Sequence, residues 1–363
     1  MNADVLDQAS SYEIDSVGMF GLIANSLEMF DESRAIATSV DLKWPAEAVR
    51  NVAICGLGGS GIAGDLAVGA WRERLRHPTA VVRDYYLPGW VGEDTLVILS
   101  SYSGETEETL TATSQATERN ALCVAITSGG KLGTFYRDLG VPVIDVPPGL
   151  PPRGALLHML ISLVVVLGRM GVISSPEREL DDAREVIGSS LGALGPEVPT
   201  TDNLAKQIAL SMVGMVPMIW GAEATAGVAQ RWKGQINENA QMAATWSLLP
   251  ELNHNEICGF DPTGPLSELT QLVFLRDPHH HRQVIRRFDL TRELIGDAVG
   301  GVMELAAEGQ TPFGRAMDLV MLGDYVSLYL AIARGVDPGP VDMIGRLKTR
   351  LAETGYGRAT YPS

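Results

Sequence analysis

Cysteine is scarce in this sequence: Cys55, Cys123 and Cys258 are the only three among 363 residues. Each sits in an apolar stretch and no two share CxxC spacing, which argues against a disulfide scaffold or a zinc ribbon. Reduced, buried thiols in a cytoplasmic protein are the expectation. Positive charge is also short: 28 Lys and Arg against 44 Asp and Glu leave a formal net charge of −16. A nucleic-acid binder needs a basic face to displace counterions, so DNA and RNA are not expected partners. The short basic run at residues 282–287 is expected to be the solvated face of a helix. No apolar run reaches the roughly 20 residues needed to cross a bilayer. The most apolar segment, residues 156–167, holds His158 and is followed by Arg169, as suits a buried core helix; no membrane partner is expected. The first fifteen residues are polar and acidic, unlike a secretory signal.

A chain of this length exceeds one ordinary core, so two domains are expected. Residues 12–38 carry apolar side chains at mixed helical spacing and suggest a helical lead-in, assigned to 1–40. Apolar runs at 51–55, 80–82, 95–99, 123–126 and 141–146 alternate in their later part with helix-length segments. That alternation implies an α/β domain, 41–175, with a mostly parallel sheet flanked by helices. The pattern returns in 190–363: strand candidates at 216–221, 272–275 and 301–305, and a long helix over 312–334. Residues 173–203, rich in Ser, Pro and acidic residues, are expected to hold the linker, with room for a helix inside it. The fold class is therefore α/β with two similar units in tandem.

Open parallel sheets bind ligands at the carboxyl ends of their strands. The first such junction is Gly56-Leu-Gly58-Gly59-Ser60-Gly61. Glycines let backbone N–H groups approach an anion, and the helix that follows presents its positive end to the same point. Gly56, Gly58 and Gly61 also match a dinucleotide fingerprint, with Asp84 near the position of a ribose-binding acid. The next strand but one separates the two readings. It ends in Ser100-Ser101-Tyr102-Ser103-Gly104-Glu105-Thr106, where the hydroxyls of Ser101, Ser103 and Thr106 cluster before a helix. A compact phosphate monoester needs many donors at short range, whereas a dinucleotide needs no second loop of this kind. Gly59, Ser60, Ser101, Ser103 and Thr106 are the expected phosphate ligands.

Polar residues concentrate again at Arg231-Trp-Lys-Gly-Gln-Ile-Asn-Glu238-Asn-Ala and at Pro250-Glu-Leu-Asn-His254-Asn-Glu-Ile. Glu238 is placed on or at the end of a helix and His254 in a loop; a carboxylate and an imidazole are the parts that proton transfer beside a carbonyl requires. Arg153 follows Leu150-Pro-Pro in a rigid turn, where it can stabilise an oxyanion. Lys348 lies on a final amphipathic helix with Val341, Ile344, Leu347 and Leu351. By pattern alone it is a polar-face lysine. His279-His280-His281 after Asp277-Pro278 is expected to be an exposed loop, since adjacent side chains diverge and rarely share one metal.

The stretch 56–64, the hydroxyls from Ser101 to Thr106, Arg153, the blocks 231–239 and 250–257 and the terminal Leu347-Lys348 resemble the bifunctional phosphoglucose/phosphomannose isomerases. These are proteins of two sugar isomerase (SIS) domains. The resemblance spans nearly the whole chain, and Asn237-Glu-Asn239 followed by Asn253-His-Asn-Glu256 is its most specific part; the glycine and serine loops are shared by SIS domains at large. It implies interconversion of fructose 6-phosphate with glucose 6-phosphate and/or mannose 6-phosphate through a cis-enediolate, with no cofactor and no metal. Glu238 would move the proton, Arg153 stabilise the enediolate, His254 open the ring with help from Lys348, and Ser60, Ser101, Ser103 and Thr106 hold the phosphate. It implies a homodimer in which the histidine serves the partner's site. Two departures bear on epimer preference: Gln241 stands where the family often has lysine, and Asp337-Pro-Gly-Pro-Val stands where a hydroxyl residue is expected.

Other functions fit less well. A catalytically silent sugar-phosphate sensor predicts a broken Glu/His/Arg set, and a DNA-binding regulator needs a basic helix-turn-helix, which the first fifty residues lack. A glucosamine-phosphate synthase requires an N-terminal nucleophilic cysteine, but this sequence begins Met1-Asn2. A dehydrogenase would depend on a nicotinamide cofactor, and a metal-dependent mannose-phosphate isomerase on a zinc-type site.

Overall fold

Continuous apolar strands bounded by glycine-rich turns build a parallel sheet, because such strands must be covered on both faces. In the computed structural model, which describes residues 3–264 and 267–353, two compact units form. One comprises Ser26–Glu177 with Val341–Ser363, the other Met1–Asn25 with Arg178–Pro340. The outermost positions of the ranges expected above, 1–2 and 354–363, lie outside the described residues.

The short helix α1 (Met19–Ala24) counts with the second unit, and α2 (Ser26–Ser39) opens the first. The first unit then runs β1 (Asn51–Cys55), α3 (Gly58–Trp71), β2 (Thr79–Val82), β3 (Thr95–Ser100), α4 (Glu107–Glu118), β4 (Leu122–Thr127), α5 (Gly130–Asp138) and β5 (Val143–Asp145). The strands form one parallel sheet in the order β2-β1-β3-β4-β5. A 3₁₀ turn (Pro152–Ala155) leads into α6 (Leu156–Arg169), whose residues from Leu156 to Leu167 are all buried. A helix apolar on every side belongs in a core, and α6 packs against α2 and α3. His158, its one titratable interruption, is satisfied by Ser33 of α2 at 2.7 Å.

The second unit contains α7 (Pro176–Leu194, entering from the first), α8 (Leu204–Met212), β6 (Val216–Gly221), α9 (Ala226–Asn239), β7 (Thr245–Leu248), β8 (Thr270–Arg276), α10 (Arg282–Ile295), β9 (Gly301–Ala306) and α11 (Pro312–Ala333). Its parallel sheet has the order β7-β6-β8-β9. The terminal helix α12 (Asp342–Glu353) counts with the first unit. Together the two sheets bear out the expected α/β class with a repeated topology.

Some expectations change. The segment 173–203 holds α7 over most of its length and contains the division between the two units after Glu177, and its acidic residues at 179 and 182 are buried. Asp182 accepts from the Gln310 and Thr311 amides and the Thr311 hydroxyl, and Glu179 from the Phe313 amide. Two carboxylates thus satisfy the orphan donors at the start of α11, where the helix dipole favours negative charge. β7 has no counterpart among the expected strands, being four residues long with only half-buried apolar side chains. Cys55 and Cys123 are buried but Cys258 is exposed, because its apolar stretch is a 3₁₀ turn (Glu256–Gly259) rather than a strand. On composition alone, the segments Pro152–Arg169 and Pro312–Ala333 are apolar and long enough to cross a bilayer. Both are mostly buried within the chain, as core helices are.

Candidate active site

The glycine loop after β1 is built by close approach. A Cβ on Gly56 would stand 2.8 Å from the Ser100 carbonyl, and one on Gly61 would stand 2.5 Å from the Gly56 carbonyl. Gly58 has φ +51°, a conformation that L side chains rarely adopt. Gly58, Gly59 and Gly61 lie in the first turn of α3 itself, which begins at Gly58. Ser60 is buried in that turn, and its Oγ accepts from the Tyr102 amide at 3.2 Å. One hydroxyl therefore ties the first loop to the second.

After β3, Ser101 Oγ and Thr106 Oγ1 lie 2.9 Å apart, and the Glu105 amide donates to Ser103 Oγ at 3.3 Å. Gly104 turns the chain with φ +66° in tight contact with Gly129. Thr106 is the N-cap of α4 and makes no side-chain capping bond among the described residues; a helix start is where an anion is favoured. Ser103 is exposed and Ser101 buried, so the cluster runs from the interior to the surface.

The backbone of Arg153 approaches the first loop from a different element. A Cβ on Gly59 would meet the Pro152 carbonyl at 2.8 Å and the Arg153 Cα at 3.6 Å, so the glycine lets the 3₁₀ turn seat itself on α3. The Tyr102 hydroxyl donates to the Pro147 carbonyl at 2.9 Å and accepts from the Leu150 amide at 2.9 Å, fixing the loop that leads into this turn. Arg153 itself is buried. Sequence reasoning misses Tyr102, an aromatic between two serines; its position inside the hydroxyl cluster is the available signal.

Glu238 and His254 belong to the second unit. Glu238 is half-buried, one residue from the end of α9. Its helix is fixed against α11 by a polar seam. Arg231 donates to both Asp324 oxygens at 2.9 and 2.6 Å, Trp232 Nε1 to the Leu319 carbonyl at 2.7 Å, and Asn239 to Ser327 Oγ at 2.9 Å. Burial pushes the Asp324 carboxyl up, against the pull of the Arg231 guanidinium. Nothing in the sequence singles out Asp324; it lies on a different helix and only the fold pairs it with Arg231. Gln241, the departure after Asn-Glu-Asn-Ala, has φ +49° as the chain leaves α9.

His254 ends a 3₁₀ turn (Glu251–His254) and is exposed, while the nearby Leu252 is buried in a cluster with Trp220, Leu249 and Phe288. Lys348 is exposed on α12, as are Ile344, Leu347 and Leu351 of its apolar stripe.

The second unit repeats the loop architecture with different side chains. Ile54 of β1 pairs with Ile98 as Ile219 of β6 pairs with Val273, so Gly58 corresponds to Glu223, Ser60 to Thr225 and Thr106 to His281. Glu223 has φ +47°, near that of Gly58, and its carboxylate accepts from the His281 amide at 3.0 Å, at the N-cap of α10. A side-chain carboxylate thus sits at this helix end, where the corresponding position of the first unit is a glycine. The expected exposed loop of three histidines is corrected here: His280 is buried, stacked on Phe288 with ring centroids 5.9 Å apart. Burial pushes the His280 imidazole pKa down. The turn is drawn inward by Asp277, which is buried and paired with Arg315 at 2.8 Å.

Paired hydroxyl and glycine loops at the ends of parallel strands, present in a repeated α/β topology, define a protein of sugar isomerase domains. Residues 48–132 match the SIS domain family, and residues 201–351 match the bacterial phospho-glucose isomerase C-terminal SIS domain. The sequence is 40% identical over 336 residues to the bifunctional phosphoglucose/phosphomannose isomerase of Caldicellulosiruptor bescii, covering 92% of this chain and 99% of that one. The enzyme of the same name from Aquifex aeolicus is 37% identical over 304 residues, covering 83% and 90%. The chain belongs to the bifunctional phosphoglucose/phosphomannose isomerase family. Among solved structures, a glucose-6-phosphate isomerase like protein from Thermus thermophilus shares the fold with a TM-score of 0.61 at 21% identity, covering 92% of this chain and 97% of that one.

Proposed function

We propose that the protein interconverts fructose 6-phosphate with glucose 6-phosphate and/or mannose 6-phosphate by metal-independent proton transfer. The observation that carries this reading is the Ser60–Tyr102–Leu150 chain of hydrogen bonds, which couples an anion cradle to the loop leading to a buried arginine. Gly59, Ser60, Ser101, Ser103 and Thr106 hold the phosphate. Glu238 takes the proton from one of C1 and C2 and returns it to the other, and Arg153 stabilises the negative oxygen of the cis-enediolate between those steps. His254 protonates the ring oxygen as the ring opens, assisted by Lys348. The exposed positions of His254 and Lys348 accord with a homodimer whose sites lie at the subunit interface. A cytoplasmic setting accords with the two buried thiols.

The test is a coupled assay from fructose 6-phosphate that follows both aldose products, with deuterium incorporation measured in heavy water. Turnover is expected to survive dialysis against a chelator. Glu238→Gln is expected to lower kcat by about 10²–10⁴-fold and to abolish deuterium uptake while sugar-phosphate binding persists. Near-normal turnover in that variant would reject Glu238 as the base. Binding without isomerisation in the unaltered protein would favour the sensor reading.

A further inference from the structure

The segment bearing His254 is anchored on both sides of the imidazole. Before it, Leu252 is sunk in the core and the Asn253 side chain is gripped by α10. Asn253 Nδ2 donates to Thr291 Oγ1 at 2.8 Å, and Arg287 donates to Asn253 Oδ1 at 3.2 Å. After it, Asn255 Oδ1 accepts from the Glu256 amide at 2.6 Å, and Ser247 on β7 donates to Glu256 at 2.6 Å. Between these fixed points the imidazole of His254 stands exposed to solvent.

We infer that Arg287 and Thr291 act through Asn253 as positioning residues for His254, which rests on the ring-opening role proposed above. An exposed imidazole on a turn with no anchor would sample many orientations, and general acid–base catalysis requires approach within hydrogen-bond reach of the proton it moves. Anchoring the adjacent residue limits that motion to the side-chain torsions of His254. The two partners also fix which way the Asn253 amide faces, since the guanidinium can only donate and so must meet the oxygen. Thr291 is buried on α10, and Phe288 of the same helix lies in the cluster that holds Leu252. One helix therefore grips two consecutive residues of the turn. Arg287 belongs to the basic run whose side chains the sequence suggests are merely solvated; this one is half-buried and spent on the turn.

A positioning role should distinguish the closed sugar from the open one. The keto substrate 5-deoxyfructose 6-phosphate lacks the hydroxyl that closes the furanose ring, so it presents its carbonyl to Glu238 without any ring opening. The readout is the ratio of turnover on fructose 6-phosphate to turnover on this open analogue, measured for the unaltered protein and for Arg287→Leu, Arg287→Lys, Asn253→Ala and His254→Ala. Arg287→Leu and Asn253→Ala are expected to lower the ratio about tenfold, in the direction of a larger fall for His254→Ala, with Arg287→Lys recovering part of it. Unchanged ratios in both positioning variants beside a lowered ratio in His254→Ala would overturn the positioning role and keep the ring-opening one. Equal losses on both substrates would mark the contacts as structural support only, which also overturns it. An unchanged ratio in His254→Ala would instead reject the ring-opening role itself. Should Asn253→Ala fail to fold, Arg287→Leu decides the matter, because its side chain is half-buried and its truncation opens no core cavity.

Discussion

The hydroxyl of Tyr102 accepts the amide of Leu150 at 2.9 Å, joining the strand end that bears Ser101 and Ser103 to the loop that leads to Arg153. The same oxygen donates to the Pro147 carbonyl, so both backbone groups depend on one buried phenol. Burial raises the phenol pKa, which keeps it protonated and able to donate. The hydroxyl loop and the loop that leads to Arg153 are thereby built as one piece.

Tyr102→Phe removes that oxygen at nearly constant volume. Leaving a buried donor and acceptor unpaired costs about 1–3 kcal/mol, which a urea midpoint will register. Turnover of fructose 6-phosphate is expected to fall about tenfold through loosening of Arg153, with KM changed less than about threefold. A stability loss with normal kcat would mean that the Gly59–Pro152 contact alone suffices to seat Arg153.

The Arg231–Asp324 pair gives the helix carrying Glu238 its rotation. Asp324→Ala takes the carboxylate partner from a buried guanidinium and is expected to destabilise the fold by about 3–5 kcal/mol. The double variant Arg231→Met, Asp324→Leu should recover most of that loss, since paired charges of this kind exchange for apolar residues at little cost. Activity then reports on specificity of orientation. If the double variant is stable and fully active, the seam contributes nothing to placing Glu238 that packing does not.

Asp318 on α11 supplies a pH dependence of the opposite sense to most carboxylates. Burial lifts its pKa from 3.8 to about 6, although it accepts from the Glu308 amide at 2.9 Å. Between those two values the folded state holds a proton that the unfolded state has released, so stability falls as pH rises through this window and is level above it. Asp318→Asn keeps an acceptor for Glu308 and removes the titration. Its urea midpoint relative to the unaltered protein should therefore be higher at about pH 7 than at about pH 4. An equal difference at both values would show that Asp318 does not titrate in this range.

Much of this arrangement is legible in the sequence because its signals are local. Apolar runs mark every strand from β1 to β9 except β7, and the hydroxyl cluster announces itself within one short loop. What escapes is non-local. Asp182 and Glu179 look like linker acids until the fold brings α11 to them. His280 looks exposed until Phe288 supplies a ring to stack on, and β7 is too short and too half-buried for its pattern to speak. Asp324 and Tyr102 act through partners that only the folded chain places beside them. The correspondence between Gly58 and Glu223 is likewise hidden, since nothing in either loop's composition reveals a shared positive φ.

Gly58 and Gly59 are adjacent, yet the structure assigns them different constraints, and alanine distinguishes them. Gly58→Ala meets no atom of the described residues within 4 Å, so its cost is the backbone's: about 1–2 kcal/mol for a left-handed L residue. Gly59→Ala has no such backbone penalty, but its methyl would stand 2.8 Å from the Pro152 carbonyl and must push the Arg153 turn away. Gly58→Ala is therefore expected to lower the urea midpoint while retaining kcat within about threefold at a temperature where it stays folded. Gly59→Ala is expected to lower kcat by about tenfold or more, because a displacement of about 1 Å at a group stabilising the enediolate is enough to do so. Measuring kcat, KM and stability for both variants side by side checks the assignment. If Gly59→Ala retains full turnover, Arg153 does not act from the position that this glycine allows.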